Sequence, residues 1–228
     1  FFLLLFILLS SNSVCLLNIS NNLVVSMIGK SIGLMTSCYR GMPSLNPRVK
    51  FNLWNKTVVL CDPQTDGGGW VVIQRRKKGD VNFFRSWNDY KKGFGTADSD
   101  YWIGNDNIHD LTSQGYNELR VDFEIDGETS YGQWSYFNVS DEESNYRLTI
   151  SGISGTIFDN LLENNDEIFK TYDRNDYNQC ARNNRAGWWF RGCGPSNLNG
   201  VWGAQDRSAI AWGDDKKFSS VEMKVRYS

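Results

Sequence analysis

From Cys38 onward the chain is a succession of short apolar runs separated by polar turns. Runs of β-type residues occur at VVLC (58–61), WVVIQRR (70–76), ELRVDFEI (118–125) and YRLTI (146–150), with Gly, Asp and Asn turns between them, and these predict short strands. Helical signals are brief. SWNDYKKGFG (86–95) predicts a turn or two capped by Ser86 and closed by Gly93, and DNIHDLTS (106–113) predicts another with Asp106 as its cap. After Ser151 regular patterning nearly disappears and Asn, Gly, Asp and Trp dominate. A long irregular stretch of this kind is usually a functional region held by disulfides or bound ions. There are no repeats, heptads or collagen-like triplets. The pattern predicts an α+β domain with a strand-rich centre and a loop-rich, aromatic end.

The first fifteen residues, FFLLLFILLSSNSVC, read differently. Their apolar run is too short to span a bilayer as a helix, and small polar residues follow it, as at a secretory signal cleaved near Ser13, Val14 or Cys15. The basic start of such a signal is expected upstream of Phe1. Residues 16–36 then form a short leader, too brief for an oligomerising stalk, and the domain is expected over 37–228. No other segment is apolar and long enough to anchor in a membrane, which makes the expected product secreted. Composition adds little to this. With 228 residues, 40% apolar and 22% charged, the protein has enough apolar residues to bury a real core. Its 24 basic and 26 acidic residues give a formal charge of −2 and no basic stripe, which argues against nucleic acid as a partner. The cluster Arg75, Arg76, Lys77 and Lys78 reads as a solvated strand end.

Cysteine usage supports secretion. Setting aside Cys15 leaves Cys38, Cys61, Cys180 and Cys193, none in a C-x-x-C unit, and a lone histidine leaves a zinc site short of ligands. Four cysteines allow three pairings, of which the simplest joins Cys38 to Cys61 and Cys180 to Cys193. Each would close a short loop, a constraint of about 3 kcal/mol in the chain-entropy model. Sequons at Asn18, Asn55 and Asn138 fit an extracellular glycoprotein.

Catalytic chemistry finds little to work with. His109 is the only histidine, and the sequence offers neither a G-x-S-x-G elbow nor a cysteine expected to be free. We read His109 as a partly buried side chain satisfied by its neighbours. The adjacent acids Asp141 with Glu142 and Asp214 with Asp215 read as solvated turns, because neighbouring carboxylates rarely face one substrate bond. Gly67, Gly68 and Gly69 provide a backbone able to take positive φ before the strand at Trp70. Trp87, Tyr90, Phe94, Tyr101 and Trp102 read as packing aromatics.

The phrases CDPQTDGGGWVVIQRR, VNFFRSWNDYKKGFG, YWIGNDNIHDLT, ELRVDFE, SGTIFDNL, GWWF, SNLNG and EMKVR, in that order, closely resemble the signatures of the fibrinogen-related domain from about Ser37 to Arg226. The segment from Ser37 to Asp62 looks most like secreted invertebrate members, which are similar in domain to ficolins and tachylectins. The resemblance implies a non-catalytic recognition domain. It further implies a small disulfide-linked N-terminal subdomain, a central mixed β-sheet with short helices, and a loop-rich C-terminal subdomain with a ligand pocket beside a calcium site.

By the same resemblance, TYDRNDYNQC (171–180) is the calcium loop, with Asp173, Asn175 and Asp176 as ligands. About three residues are missing relative to the family pattern, an acidic ligand among them. The implied pocket lies in ARNNRAGWWFRGCGPSNLNGVW (181–202), with Trp189, Phe190 and Trp202 as walls around Gly192, Cys193 and Gly194. In acetyl-binding members a cis peptide precedes this second cysteine, at Gly192–Cys193 here, and a histidine follows it where this sequence has Gly194. The resulting expectation is a secreted, lectin-like protein that binds glycans or glycoproteins, on microbial surfaces in innate defence, with a homo-oligomer admitted. The alternative is a structural or signalling module that grips a protein partner, as in fibrinogen and angiopoietin-like ligands.

Overall fold

The structure is a computed structural model that describes residues 38–215 and 218–228, together with the backbone of three earlier strands. Those strands, β1 (Phe6–Leu9), β2 (Ser13–Leu16) and β3 (Ser26–Ile28), form a small antiparallel sheet within a unit of their own, Phe1–Met35. The signal-like character of residues 1–15, the leader and the Asn18 sequon otherwise lie outside the described residues. Among those residues no helix is long and apolar enough to cross a membrane.

The second unit, Thr36–Ser228, is built on one nine-stranded sheet. Its strands are β4 (Val49–Asn52), β5 (Val58–Asp62), β6 (Trp70–Arg76), β7 (Phe94–Gly95), β8 (Tyr101–Trp102), β9 (Glu118–Ile125), β10 (Glu128–Val139), β11 (Leu148–Gly155) and β14 (Ser220–Arg226). They run in the order β11-β10-β9-β14-β6-β5-β4, with β8 on β6 and β7 on β8. Every ladder is antiparallel, and the parallel element expected of a mixed sheet is confined to an isolated bridge between Val201 and Ala209. A separate pair, β12 (Ser196–Asn197) and β13 (Ala211–Trp212), stiffens the C-terminal region.

The helices follow local signals. In α1 (Trp87–Lys92) Ser86 caps the N-terminus in a capping box with Asp89, and Gly93 closes the helix at φ 91°. In α2 (Asn105–Ser113) the cap is Gly104, at φ 106°, and not Asp106. The Asp106 carboxylate instead accepts the Tyr146 hydroxyl at 2.5 Å, a partner forty residues away. The short α3 (Cys180–Asn183) begins at the second disulfide. Two strand expectations need correction. The 146–150 run is displaced, since β11 continues to Gly155 through exposed residues, and the twelve-residue β10 has no apolar run to announce it. β11 is exposed beyond Ile150, and β10 puts Gly132 at a buried position and exposes Ser135 and Tyr136 in succession, so neither shows the strict alternation of a half-buried strand.

One sheet face carries the core, with Leu119, Val121, Phe123, Val221, Met223 and Val225 all buried. On the other face the central strand β14 presents Glu222, Lys224 and Arg226, also buried. The Lys224 ammonium is fully enclosed and pairs with Asp62 at 2.6 Å and Asp122 at 2.5 Å. Arg48 closes over it, pairing with Glu222 and, at 3.2 Å, with Asp62. This ties the disulfide-linked N-terminal segment, Cys38 to Cys61, onto the sheet. Arg76 is likewise no solvated strand end. It is 1% exposed, pairs with Asp100 at 3.4 Å and stacks on Phe83.

Burial alone would raise the Asp62 carboxyl, but the Lys224 ammonium outweighs it and holds the pKa down to about 2. A depressed carboxylate contributes stability that is complete above its unfolded value near 4 and lost as pH falls through its folded value. The melting temperature is therefore expected to be flat for this pair above pH 5 and to fall between about pH 4 and pH 2. Lys224→Met should cost about 3 kcal/mol in denaturant melts, because it takes from Asp62 and Asp122 the enclosed cation they share and leaves buried Asp62 with Arg48 alone. It should also move the acid limb to higher pH.

Candidate functional site

The region after β11 is irregular, and side chains do the work of secondary structure there. Gln74 on β6 donates to Leu198 O at 2.8 Å, and Arg76 donates to Gly200 O at 2.7 Å. Burial pushes the Arg76 guanidinium down to about 10, against the pull of Asp100, so it stays charged and donating at neutral pH. The Tyr90 hydroxyl donates to Phe83 O and accepts from Gly187 N, and burial raises its pKa so that it keeps that proton. Asn164 donates to Trp189 O, while its carbonyl takes the Ser196 hydroxyl. Trp189 in turn donates its indole N–H to Tyr146 O at 2.7 Å.

These contacts settle where the expected pocket walls stand. Trp189 and Phe190 are 0% exposed, and Trp189 packs among Trp188, Phe169 and Trp102. Neither offers a face to a ligand, which corrects their assignment as walls. The positive-φ run of Gly67, Gly68 and Gly69 and the burial of Trp87, Tyr90, Tyr101 and Trp102 agree with the sequence reading. His109 Nδ1 lies 2.9 Å from Val139 O and fastens α2 to β10.

A cavity of about 170 Å³ does lie at the disulfide. Cys180 and Cys193 are joined there, as Cys38 and Cys61 are in the N-terminal segment. Cys193, Gly194, Pro195, Asn184, Asn197 and Arg207 line it. Gly192, exposed at φ 58°, stands just outside. The cis bond is Gly194–Pro195; none occurs at Gly192–Cys193. Asn197 and Arg207 were not apparent from the sequence. Asn197 is 4% exposed and its Nδ2 donates to Asn184 O, which fixes the amide orientation. Its Oδ1 then has no hydrogen-bond partner among the described residues. A buried carbonyl left unpaired costs about 1–3 kcal/mol, which singles out this residue among those that line the cavity.

Trp202 is half-buried and lines a different cavity of about 330 Å³, with Phe83, Asp80, Asn82 and Arg185. A cavity of about 430 Å³ lies over the polar sheet face. Its arginines Arg48, Arg75 and Arg120 are already matched, the first two to Glu222 and the third to Asp122. Of the sequons, Asn55 sits exposed at the β4–β5 turn and donates to Asn107, and Asn138 is half-buried on β10.

The oxygens of the 171–176 loop do not converge. Asp173 Oδ1 accepts from Trp87 N at 2.9 Å and from the Thr171 hydroxyl. Asp176 spends both oxygens on Ala181 N and Arg182 N at the start of α3. Asn175 turns its amide nitrogen, not its oxygen, toward Asn145 and Phe169 O. Arg174 pairs with Glu142 at 3.1 Å and stacks on Trp87 at 4.0 Å. Glu142 also accepts from Trp87 Nε1 and Lys91, so it is a hub and not a solvated turn. Among the described residues no cluster of three or more His, Cys, Asp or Glu could hold a metal. A cation wanting six to eight oxygens does not fit this arrangement.

Comparison with known proteins agrees with this architecture. The model of the C-terminal globular domain of fibrinogen beta and gamma chains matches residues 44–227. Chicken tenascin-R is 40% identical over 183 residues, covering 77% of this chain and 14% of that protein. Ryncolin-4 of Cerberus rynchops is 41% identical over 182 residues, covering 74% of this chain and 53% of its own. The match thus spans about half of the one relative and a seventh of the other. The fibrinogen-like globe domain of human ANGPTL6 superposes with a TM-score of 0.76 at 35% identity, covering 79% of this chain and 89% of that one.

Because Asp173 and Asp176 are engaged by other groups of the same protein, the melting temperature is expected to be the same in millimolar calcium and in chelator. A calcium-dependent rise in calorimetry would show that the loop rearranges to bind the ion.

Proposed function

The protein belongs to the family of the C-terminal globular domains of fibrinogen beta and gamma chains, and from that premise we propose that it is an extracellular, lectin-like recognition module. Its proposed ligands are glycans or glycoproteins, with microbial surface glycans in innate defence as the physiological targets. The observation that supports this is the cavity beside Cys193, lined by Arg207 and by Asn197, whose buried carbonyl lacks a partner among the described residues. Directed polar groups in a small concavity are what fix a ligand's orientation. Two disulfides favour an oxidising, extracellular setting. Binding, not turnover, suits a site with no nucleophile and base in contact.

A second reading, a module that grips a protein partner, draws support from Phe158 and Leu162. They are 82% and 57% exposed, four residues apart on one loop. Competition separates the two. Soluble saccharides at millimolar concentration should displace the module from a glycan-coated surface, and failure of every sugar to compete would favour the protein partner.

N-acetylglucosamine alone is expected to bind more weakly than about 1 mM. A Kd of that size needs about 4 kcal/mol, and each neutral hydrogen bond supplies only about 1 kcal/mol. Gly194 brings no side-chain donor, and the Trp189 indole N–H is already taken by Tyr146 O. Saturable binding tighter than this by calorimetry or NMR would show that the cavity suffices for an acetyl group by itself.

A further inference from the structure

Two arginines in the C-terminal region stand apart from the rest. Among the described residues every other arginine forms an ion pair or a side-chain hydrogen bond, whereas the guanidinium groups of Arg185 and Arg207 have neither. Both are exposed. Arg207 lines the cavity beside Cys193, and Arg185 lines the one beside Trp202. The nearby carboxylates do not neutralise them by contact. Asp206 accepts the amide and hydroxyl of Ser208, and Asp80 accepts the hydroxyl of Ser99.

The two cavities share no lining residue but are lined by residues adjacent in the chain. Asn184 lines the first and Arg185 the second, and consecutive Cα atoms are about 3.8 Å apart. The segment between Val201 and Ala209 is closed on itself by the Val201 N to Ser208 O bond at 2.7 Å, and it sends Trp202 to one cavity and Arg207 to the other. Gly79 packs against the Trp202 indole so closely that an added Cβ would sit 2.3 Å from Cδ1. Gly79, which lines the same cavity, thus holds the indole in close contact and leaves no room for a side chain beside it.

We propose that the cavity beside Trp202 is a second subsite, and that the two cavities together take an acidic saccharide whose carboxylates meet Arg207 and Arg185. The proposal rests on the lectin-like reading above and adds the charge and extent of the ligand. A guanidinium is a planar fork that matches a carboxylate through two parallel hydrogen bonds. A sugar ring laid on Trp202 places its apolar face on the indole and its hydroxyls toward Asp80 and Asn82. A hydroxyl or N-acyl N–H of the adjoining residue satisfies the Asn197 carbonyl. An acidic peptide such as triglutamate would use the two guanidinium groups while offering no apolar ring face to Trp202, which favours the saccharide.

The test is titration calorimetry of the full-length protein with trigalacturonate and with sialyllactose, each beside its methyl ester, which removes the charge with little change in size. At least one acid should bind tenfold or more tighter than its ester, with the gap narrowing as salt rises. Arg207→Gln, Arg185→Gln and Trp202→Ala should each weaken that binding about tenfold, with unchanged melting curves for the two exposed arginine variants. Equal binding of acid and ester would overturn the proposal and leave the lectin-like reading standing. Loss on Arg207→Gln with no effect of Arg185→Gln would overturn the second subsite. Equal binding of triglutamate would show a polyanion site with no preference for sugar, and would also overturn it. Binding of neither acid would overturn it too; if every neutral glycan is silent as well, the lectin-like reading falls with it.

Discussion

A buried backbone without helix or sheet must find a hydrogen-bond partner for each of its polar groups, and the C-terminal third of this protein depends on that constraint. Gln74 and Arg76 reach from β6 to the carbonyls of residues 198 and 200, Tyr90 bridges Phe83 and Gly187, and Asn199 donates to Gly187 O. The regular sheet supplies the donors, and the irregular region is shaped to receive them. An arginine tolerates such a position because Asp100 balances its charge and three consecutive amides, at Lys77, Lys78 and Gly79, balance that of Asp100.

The sheet divides the labour of charge. On its polar face Lys224, Asp62, Asp122, Glu222 and Arg48 satisfy one another, so the charges around the 430 Å³ cavity there are matched from within. The C-terminal region differs, because the exposed guanidinium groups of Arg185 and Arg207 have no partner among the described residues and stand on loops packed against the core. Rigidity under a recognition surface lowers the entropic cost of binding. Here it comes from the packed aromatics Trp188, Trp189 and Phe190, which support the site without lining it.

The loop at 171–176 shows the same economy. Arg174 lies on Trp87 and pairs with Glu142, Asp173 caps the amide of Trp87, and Asp176 caps α3. Cation, aromatic face and helix ends, all from the same molecule, occupy the groups that a metal would otherwise gather.

How much of this was readable in advance follows from the range over which each feature is decided. The strands at 58–61, 70–76 and 118–125, the Ser86 and Gly93 caps of α1 and the two local disulfides were legible, because periodicity, turn chemistry and short loops are set by residues close in sequence. The order of the family's phrases carried the rest of the fold. Burial was legible only in part, at Trp87, Tyr90, Tyr101 and Trp102. Nothing local distinguishes Trp189, locked to Tyr146 across 43 positions, from Trp202, which faces a cavity. Nor does the sequence tell Arg76, enclosed by contacts as far as Gly200, from Arg207, left without a partner among the described residues. The sequence determined which groups exist and which elements form. The tertiary structure decided which of those groups face one another and which are left for a ligand, because hydrogen bonds and burial are settled between residues that only folding brings together.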